Sequence, residues 1–192
     1  MDLRGKHIIL GSASPRRKEL LSGLDIDFEV DTQNSFEERF GPETPYDQVP
    51  LLMAQGKSHG FHRPLAADEV LITSDTVVIV DQEVLGKPHS REEAVEMLRK
   101  LSGRAHEVVT AVTIRDCERE ETFSVSTQVH FETLSQAEID HYIDKYRPYD
   151  KAGAYGIQEW IGYVGISAIE GSFYNVMGFP VHRVWHALQR FL

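Results

Sequence analysis

The run Glu69-Val70-Leu71-Ile72-Thr73-Ser74-Asp75-Thr76-Val77-Val78-Ile79-Val80-Asp81 is the most apolar segment of the chain, and much of it is β-branched. Such a run reads as a buried central strand, so the chain must supply a sheet and covering elements around it. Its middle, however, is polar. An ionised carboxylate at Asp75 is costly there unless a cation pairs with it or a metal binds it. Ser74 and Thr76 flank it and complete a polar notch. Asp75 is therefore a candidate to hold Mg2+ through oxygen or to act as general base on water. The structural alternatives are a strand-end position, a set of backbone hydrogen bonds, or a turn cap.

A second constraint lies near the start. Ile8-Ile9-Leu10 reads as the end of a buried strand, and Gly11-Ser12-Ala13 as a small-residue turn. A helix then opens with Ser14 as N-cap and Pro15 at the first helical position, running over about 15–23. Arg16 and Arg17 place two cations in the first turn, where the helix dipole opposes them. That opposition points to an anion held by strand end, turn and helix start, with phosphate the natural choice. The bland alternative is an ordinary turn with arginines solvated or paired to Glu19.

The remaining elements alternate. A strand is expected at 27–31 and a polar loop with adjacent carboxylates Glu37 and Glu38 after it. A helix follows through 51–59, beginning either at the Thr44-Pro45 signal or near Pro50, and carrying Lys57 near its end. Ser90 and Glu93 form a capping box for a helix ending at Gly103; Ser135 and Glu138 form another, for a helix to about Tyr146. The runs 106–115 and 122–131 predict a β-hairpin. Residues 148–158 form a glycine-rich aromatic loop, short strands are expected around 161–169, and an amphipathic helix from Val181 to Phe191 closes the chain. This pattern defines an α/β chain with a mixed sheet, forming one domain over 1–192 with no separate linker.

Composition narrows the function. A net charge of −10 excludes a nucleic-acid polymer as partner but leaves room for a small phosphate ligand in a local positive pocket. The single cysteine, Cys117, permits no internal disulfide and fits a reducing cytoplasm. No apolar run approaches a membrane span, and the polar start lacks a secretory apolar region. The nine histidines show no metal-site spacing and are expected mostly on the surface. Lys87, on a rigid turn after the central strand, could reach a phosphate or be an ordinary surface lysine. Between Gly171 and Gly178, the side chains of Ser172, Tyr174 and Asn175 suit either a base-reading segment or a plain turn.

Five segments together resemble one family. They are Ser12-Ala13-Ser14-Pro15-Arg16-Arg17-Lys18-Glu19-Leu20-Leu21, Ser74-Asp75-Thr76-Val77-Val78, Leu85-Gly86-Lys87-Pro88, Asp150–Gln158 and Gly171–Pro180. In this order they are similar to the Maf family of nucleoside triphosphate pyrophosphatases, over about residues 7–190. The resemblance implies an elongated α/β fold with two lobes around a deep cleft, similar to inosine-triphosphate pyrophosphatases. It also implies Mg2+ or Mn2+ dependence, commonly a homodimer, and hydrolysis of a nucleoside triphosphate to monophosphate and pyrophosphate. Asp75 matches the proton acceptor, with the divalent ion near Glu37 and Asp75. Ser12, Arg16 and Arg17 match the phosphate loop, and Lys57 and Lys87 match further polar cleft positions. Arg16, Thr76 and Gln158 match positions that mark a dTTP/UTP-preferring branch. The rival readings are 7-methyl-GTP with the same chemistry, and a nucleotide-binding regulator of septum formation.

Overall fold

In the computed structural model, which describes residues 3–41 and 43–192, the expected central strand is β3, Glu69–Val80. The first two residues of the polar start lie outside the description. β1 (His7–Leu10) pairs with β3 in parallel, Leu10 opposite Ile72, and on its other side with β2 (Phe28–Val30), also in parallel. Further strands are β4 (Glu83–Leu85), β5 (Ala105–Arg115), β6 (Glu120–Phe131) and β7 (Ile166–Glu170). The seven form one mixed sheet in the order β2-β1-β3-β5-β6-β7, with β4 antiparallel on β3 and β7 antiparallel on β6. The expected α/β architecture with a mixed sheet is the one observed.

The chain divides into two compact units. One comprises Met1–Asp75, Thr110–Val125 and Gly178–Leu192; the other comprises Thr76–Val109 and Ser126–Met177. Strands β3, β5 and β6 contribute residues to both.

In the first unit, α1 (Pro15–Ser22) starts where the cap predicts, with Ser14 accepting the Arg17 N–H. Helix α2 is Val49–His59, so the later of the two expected starts holds. Pro50 sits in its first turn, where a missing N–H costs nothing. Ile9, Leu71, Phe61 and Leu65 form a buried cluster, and Leu21 and Val184 are also fully enclosed. Each such side chain contributes roughly 1.5–3 kcal/mol of burial free energy. Gly11 is fixed by close approach: a Cβ there would lie 2.9 Å from the Thr73 methyl. The last helix, α7, is Val181–Leu188, shorter than the apolar pattern by one turn.

In the second unit, α3 (Arg91–Leu101) packs against α4 (Gln136–Tyr146). The α4 capping box is complete, whereas at α3 the Glu93 carboxylate takes the His89 N–H in place of that of Ser90. The strand expected around 161–169 is observed only from Ile166, and two short helices were not expected. Trp160–Val164 is a short helix (α5), not a strand, and Phe173–Val176 is another (α6), capped by Ser172. Five or four residues are too few for helical periodicity to register, and β-branched apolar content mimics a strand. The histidines lie mostly at the surface as expected, with His106 the buried one: it is 3% exposed and bonded through Nε2 to the Tyr155 hydroxyl at 2.6 Å. Among the described residues no helix is long and apolar enough to cross a membrane.

Candidate active site

The polar notch of β3 is held from α2. Thr73 donates through its hydroxyl to the Ala54 carbonyl at 2.8 Å, which fixes α2 against the strand two residues before Asp75. Three residues along α2, Lys57 reaches Asp75: Nζ donates to Oδ1 at 2.7 Å, and the two side chains are 17% and 16% exposed. The same ammonium lies 3.1 Å from Oε1 of Glu38. The buried carboxylate that the sequence singled out is therefore paired, and a second carboxylate shares its cation.

A loop after β2 delivers that second carboxylate. Asn34 donates its amide to the Lys57 carbonyl and accepts the Phe36 N–H at 2.8 Å. Phe36 then lies on Gly56, where an added Cβ would be 2.2 Å from the ring, and beside Gly60. A glycine in a helix interior costs about 1 kcal/mol relative to alanine, and here the close aromatic contact requires it. Glu37, the acid favoured by the resemblance, instead pairs with Arg39 at 3.0 Å on the surface. Adjacent acids in a loop are indistinguishable in sequence; the anchor at Phe36 decides which one turns toward Lys57.

The phosphate-loop residues are in the same unit. Arg17 donates through Nε to the Gly178 carbonyl at 3.0 Å and through Nη1 to the Ser74 carbonyl at 3.0 Å and Ser12 Oγ at 3.2 Å. Burial draws the Arg17 guanidinium below its ordinary pKa, with the Asp75 charge pulling the other way. Arg17 thus ties α1 to the strand carbonyl immediately before Asp75. Ser12 Oγ accepts from both Arg17 and the Ser14 N–H, at 3.3 Å for the latter, so its own proton is its remaining donor. Arg16 is half-buried in the first turn of α1.

The second unit holds Thr76, Lys87 and Gln158. Thr76 follows Asp75 in β3 and is half-buried, and Lys87 is exposed after β4. Gln158 ends the glycine-rich loop and lines a pocket of about 310 Å3 with Ile157, Tyr163, Ile166 and Phe173. Its Oε1 is buried without a hydrogen-bond partner among the described residues. Asn175 ties the Gly171–Gly178 segment to the sheet: its fully buried amide donates to the Val108 carbonyl at 3.1 Å and to Thr127 Oγ1 at 3.0 Å.

The donor set suits one type of metal site. Among the described residues no group of three or more His, Cys, Asp or Glu could hold an ion. Asp75 and Glu38, which both reach the Lys57 ammonium, offer carboxylate oxygens of the kind Mg2+ takes when substrate phosphates supply the rest of its shell.

The solved structure of a Ham1 protein from Coxiella burnetii shares the fold, with a TM-score of 0.50 and 12% identity, covering 96% of this chain and 99% of that one. The family model for Maf-like protein matches residues 7–191, and the chain belongs to that family. A relative from Porphyromonas gingivalis, described as dTTP/UTP pyrophosphatase, is 52% identical over 192 residues, covering 99% of this chain and 96% of the relative. Relatives with the same description in Parabacteroides distasonis and Bacteroides thetaiotaomicron are 48% and 46% identical, over 99% and 95% of this chain and 98% and 95% of their own lengths.

Proposed function

We infer that this chain is a nucleoside triphosphate pyrophosphatase acting on dTTP and UTP, releasing the monophosphate and pyrophosphate. Family membership and the description shared by relatives of about half-identical sequence support the reaction class and the base. The observation that carries the chemistry is the pairing of Asp75, in the polar middle of β3, with Lys57 of α2. Lys57 holds Oδ1, which orients the carboxylate and leaves Oδ2 as the basic atom. In the proposed reaction Asp75 takes a proton from water as its oxygen attacks the α-phosphorus. The α–β phosphoanhydride bond breaks and pyrophosphate carries away the electron pair. Ser12, Arg16 and Arg17 bind phosphate oxygens at the start of α1, where the helix dipole adds to their effect.

Asp75, with Glu38 by its geometry and Glu37 by the resemblance, would hold Mg2+ or Mn2+. When bound, the ion neutralises charge on the triphosphate. Lys87 as a further phosphate contact, and Thr76 and Gln158 as base-selecting residues, rest on the resemblance. So do a homodimer and a house-cleaning role on modified pyrimidine triphosphates, whereas a cytoplasmic setting rests on the single cysteine and a single domain over 1–192 on the element pattern without a linker.

The test is a panel of triphosphates with pyrophosphate detection under Mg2+ or Mn2+. Turnover of dTTP and UTP well above GTP, CTP and 7-methyl-GTP is expected. Preference for 7-methyl-GTP would move the chain to the other branch, and nucleotide binding without turnover would make it a regulator.

A further inference from the structure

The loop that carries Gln158 is held by an ionic cluster that the proposed chemistry does not use. Lys151, its side chain only 9% exposed, donates to Asp150 Oδ1 at 2.8 Å and lies 3.1 Å from Glu159 Oε1. The other Glu159 oxygen accepts the hydroxyl proton of Tyr142, a fully buried residue of α4. The Tyr142 oxygen in turn accepts the Gly156 N–H at 2.9 Å. Burial and the Glu159 carboxylate push the Tyr142 hydroxyl pKa up, so it remains a donor. The residues on both sides of Gln158 are therefore anchored, Gly156 by its N–H to the Tyr142 oxygen and Glu159 by its carboxylate to Tyr142 and Lys151. Gly156 is the point of contact: a Cβ there would lie 3.0 Å from Lys151 Cε and 3.1 and 3.2 Å from the two amide atoms of Gln158.

Stability alone does not call for this arrangement. A buried ion pair is often matched by apolar residues of similar volume, whereas its geometry is far more definite. What a definite geometry supplies here follows from the chemistry of a carboxamide. Thymine and uracil present an N3–H donor beside carbonyl acceptors, while cytosine presents an N3 acceptor beside an amino donor. An amide free to turn over matches either pattern, since its oxygen and nitrogen exchange places. Only an amide held in one orientation separates them. The Gln158 Oε1 is buried and has no hydrogen-bond partner among the described residues, so the protein leaves it open as an acceptor.

We propose that Lys151, Glu159 and Tyr142 are positioning residues that lock the Gln158 amide, and that this lock sets the preference for a base bearing N3–H over cytosine. The proposal rests on Gln158 reading the base. A correctly oriented amide against a base edge discriminates by roughly tenfold or more.

The experiment measures kcat and KM of the full chain on dTTP, UTP and CTP for wild type, Gln158→Ala, Lys151→Met, Glu159→Gln and Tyr142→Phe. Circular dichroism and melting curves accompany each variant. The ratio of kcat/KM for dTTP over CTP is expected to fall about tenfold in the three positioning variants. Most of the change should appear as a raised KM for dTTP, with partial recovery in Lys151→Arg. Gly156→Ala, which crowds the same amide without removing a charge, should shift the ratio in the same direction if any ionic variant fails to fold. Folded variants that keep the wild-type ratio, while Gln158→Ala loses it, would overturn the lock and spare the base-reading role. An unchanged ratio in Gln158→Ala itself would overturn both. A wild type that does not turn over dTTP would overturn the functional reading beneath them.

Discussion

At the scale of single residues, Asp75 is where sequence and structure agree most closely. A carboxylate inside a β-branched run needs a partner, and the partner is Lys57 at 2.7 Å. Replacing it with the isosteric amide removes the base while keeping the shape, so Asp75→Asn should lower kcat by about 10²–10⁴-fold with nucleotide binding retained. Steady-state kinetics and equilibrium binding on the same preparation check this; near-wild-type turnover would remove Asp75 from the reaction. That such a residue matters was legible in the run itself. That Glu38 and not Glu37 shares its lysine was not, because the choice depends on where Phe36 lands. His106 was likewise hidden, since nothing local distinguishes a buried histidine from a surface one. Burial lowers its pKa to about 4. The unfolded chain holds a proton there up to about pH 6.5, so between those values unfolding takes up a proton and stability rises with pH. On the order of 3 kcal/mol is present above pH 6.5 and is lost progressively toward pH 4. Melting temperature followed from pH 7 to pH 5 should fall less steeply in His106→Gln than in wild type.

At the scale of elements, three helix starts were legible from caps whose signal lies within four residues, while the similar Thr44-Pro45 signal opens no helix. Ser14, Ser90 and Ser135 each begin the helix that they announce. Short helices α5 and α6 were not, because packing rather than periodicity makes them. The glycine in α2 is the element-level feature with a functional reach. An alanine at position 56 favours the helix by about 1 kcal/mol, yet its Cβ would sit 2.2 Å from the Phe36 ring. The ring must leave, and the Glu37–Glu38 loop moves with it. Gly56→Ala should therefore lose about tenfold to a hundredfold in turnover, in line with what small misplacements cost, while its melting temperature changes little. A variant with full activity would show that the loop has no part in the reaction.

At the scale of the whole molecule, the order of strands was not readable, since pairing between distant segments leaves no local trace. The sequence does specify which strand is central and that a mixed sheet surrounds it, and the resemblance carries the rest. Strands β3, β5 and β6 each supply residues to both units. A single cooperative transition is thus expected in calorimetry; two resolved transitions would contradict the single-domain proposal.

The shared lysine has one more consequence. The cation between Asp75 and Glu38 belongs to the chain itself, so those acids are never left to repel one another when divalent ions are scarce. Chelator should abolish turnover yet leave the melting temperature where it was, and a marked drop in EDTA would count against this. On the proposed metal dependence, loss of the ion would then silence the protein without unfolding it, and its return would restore turnover with no refolding step.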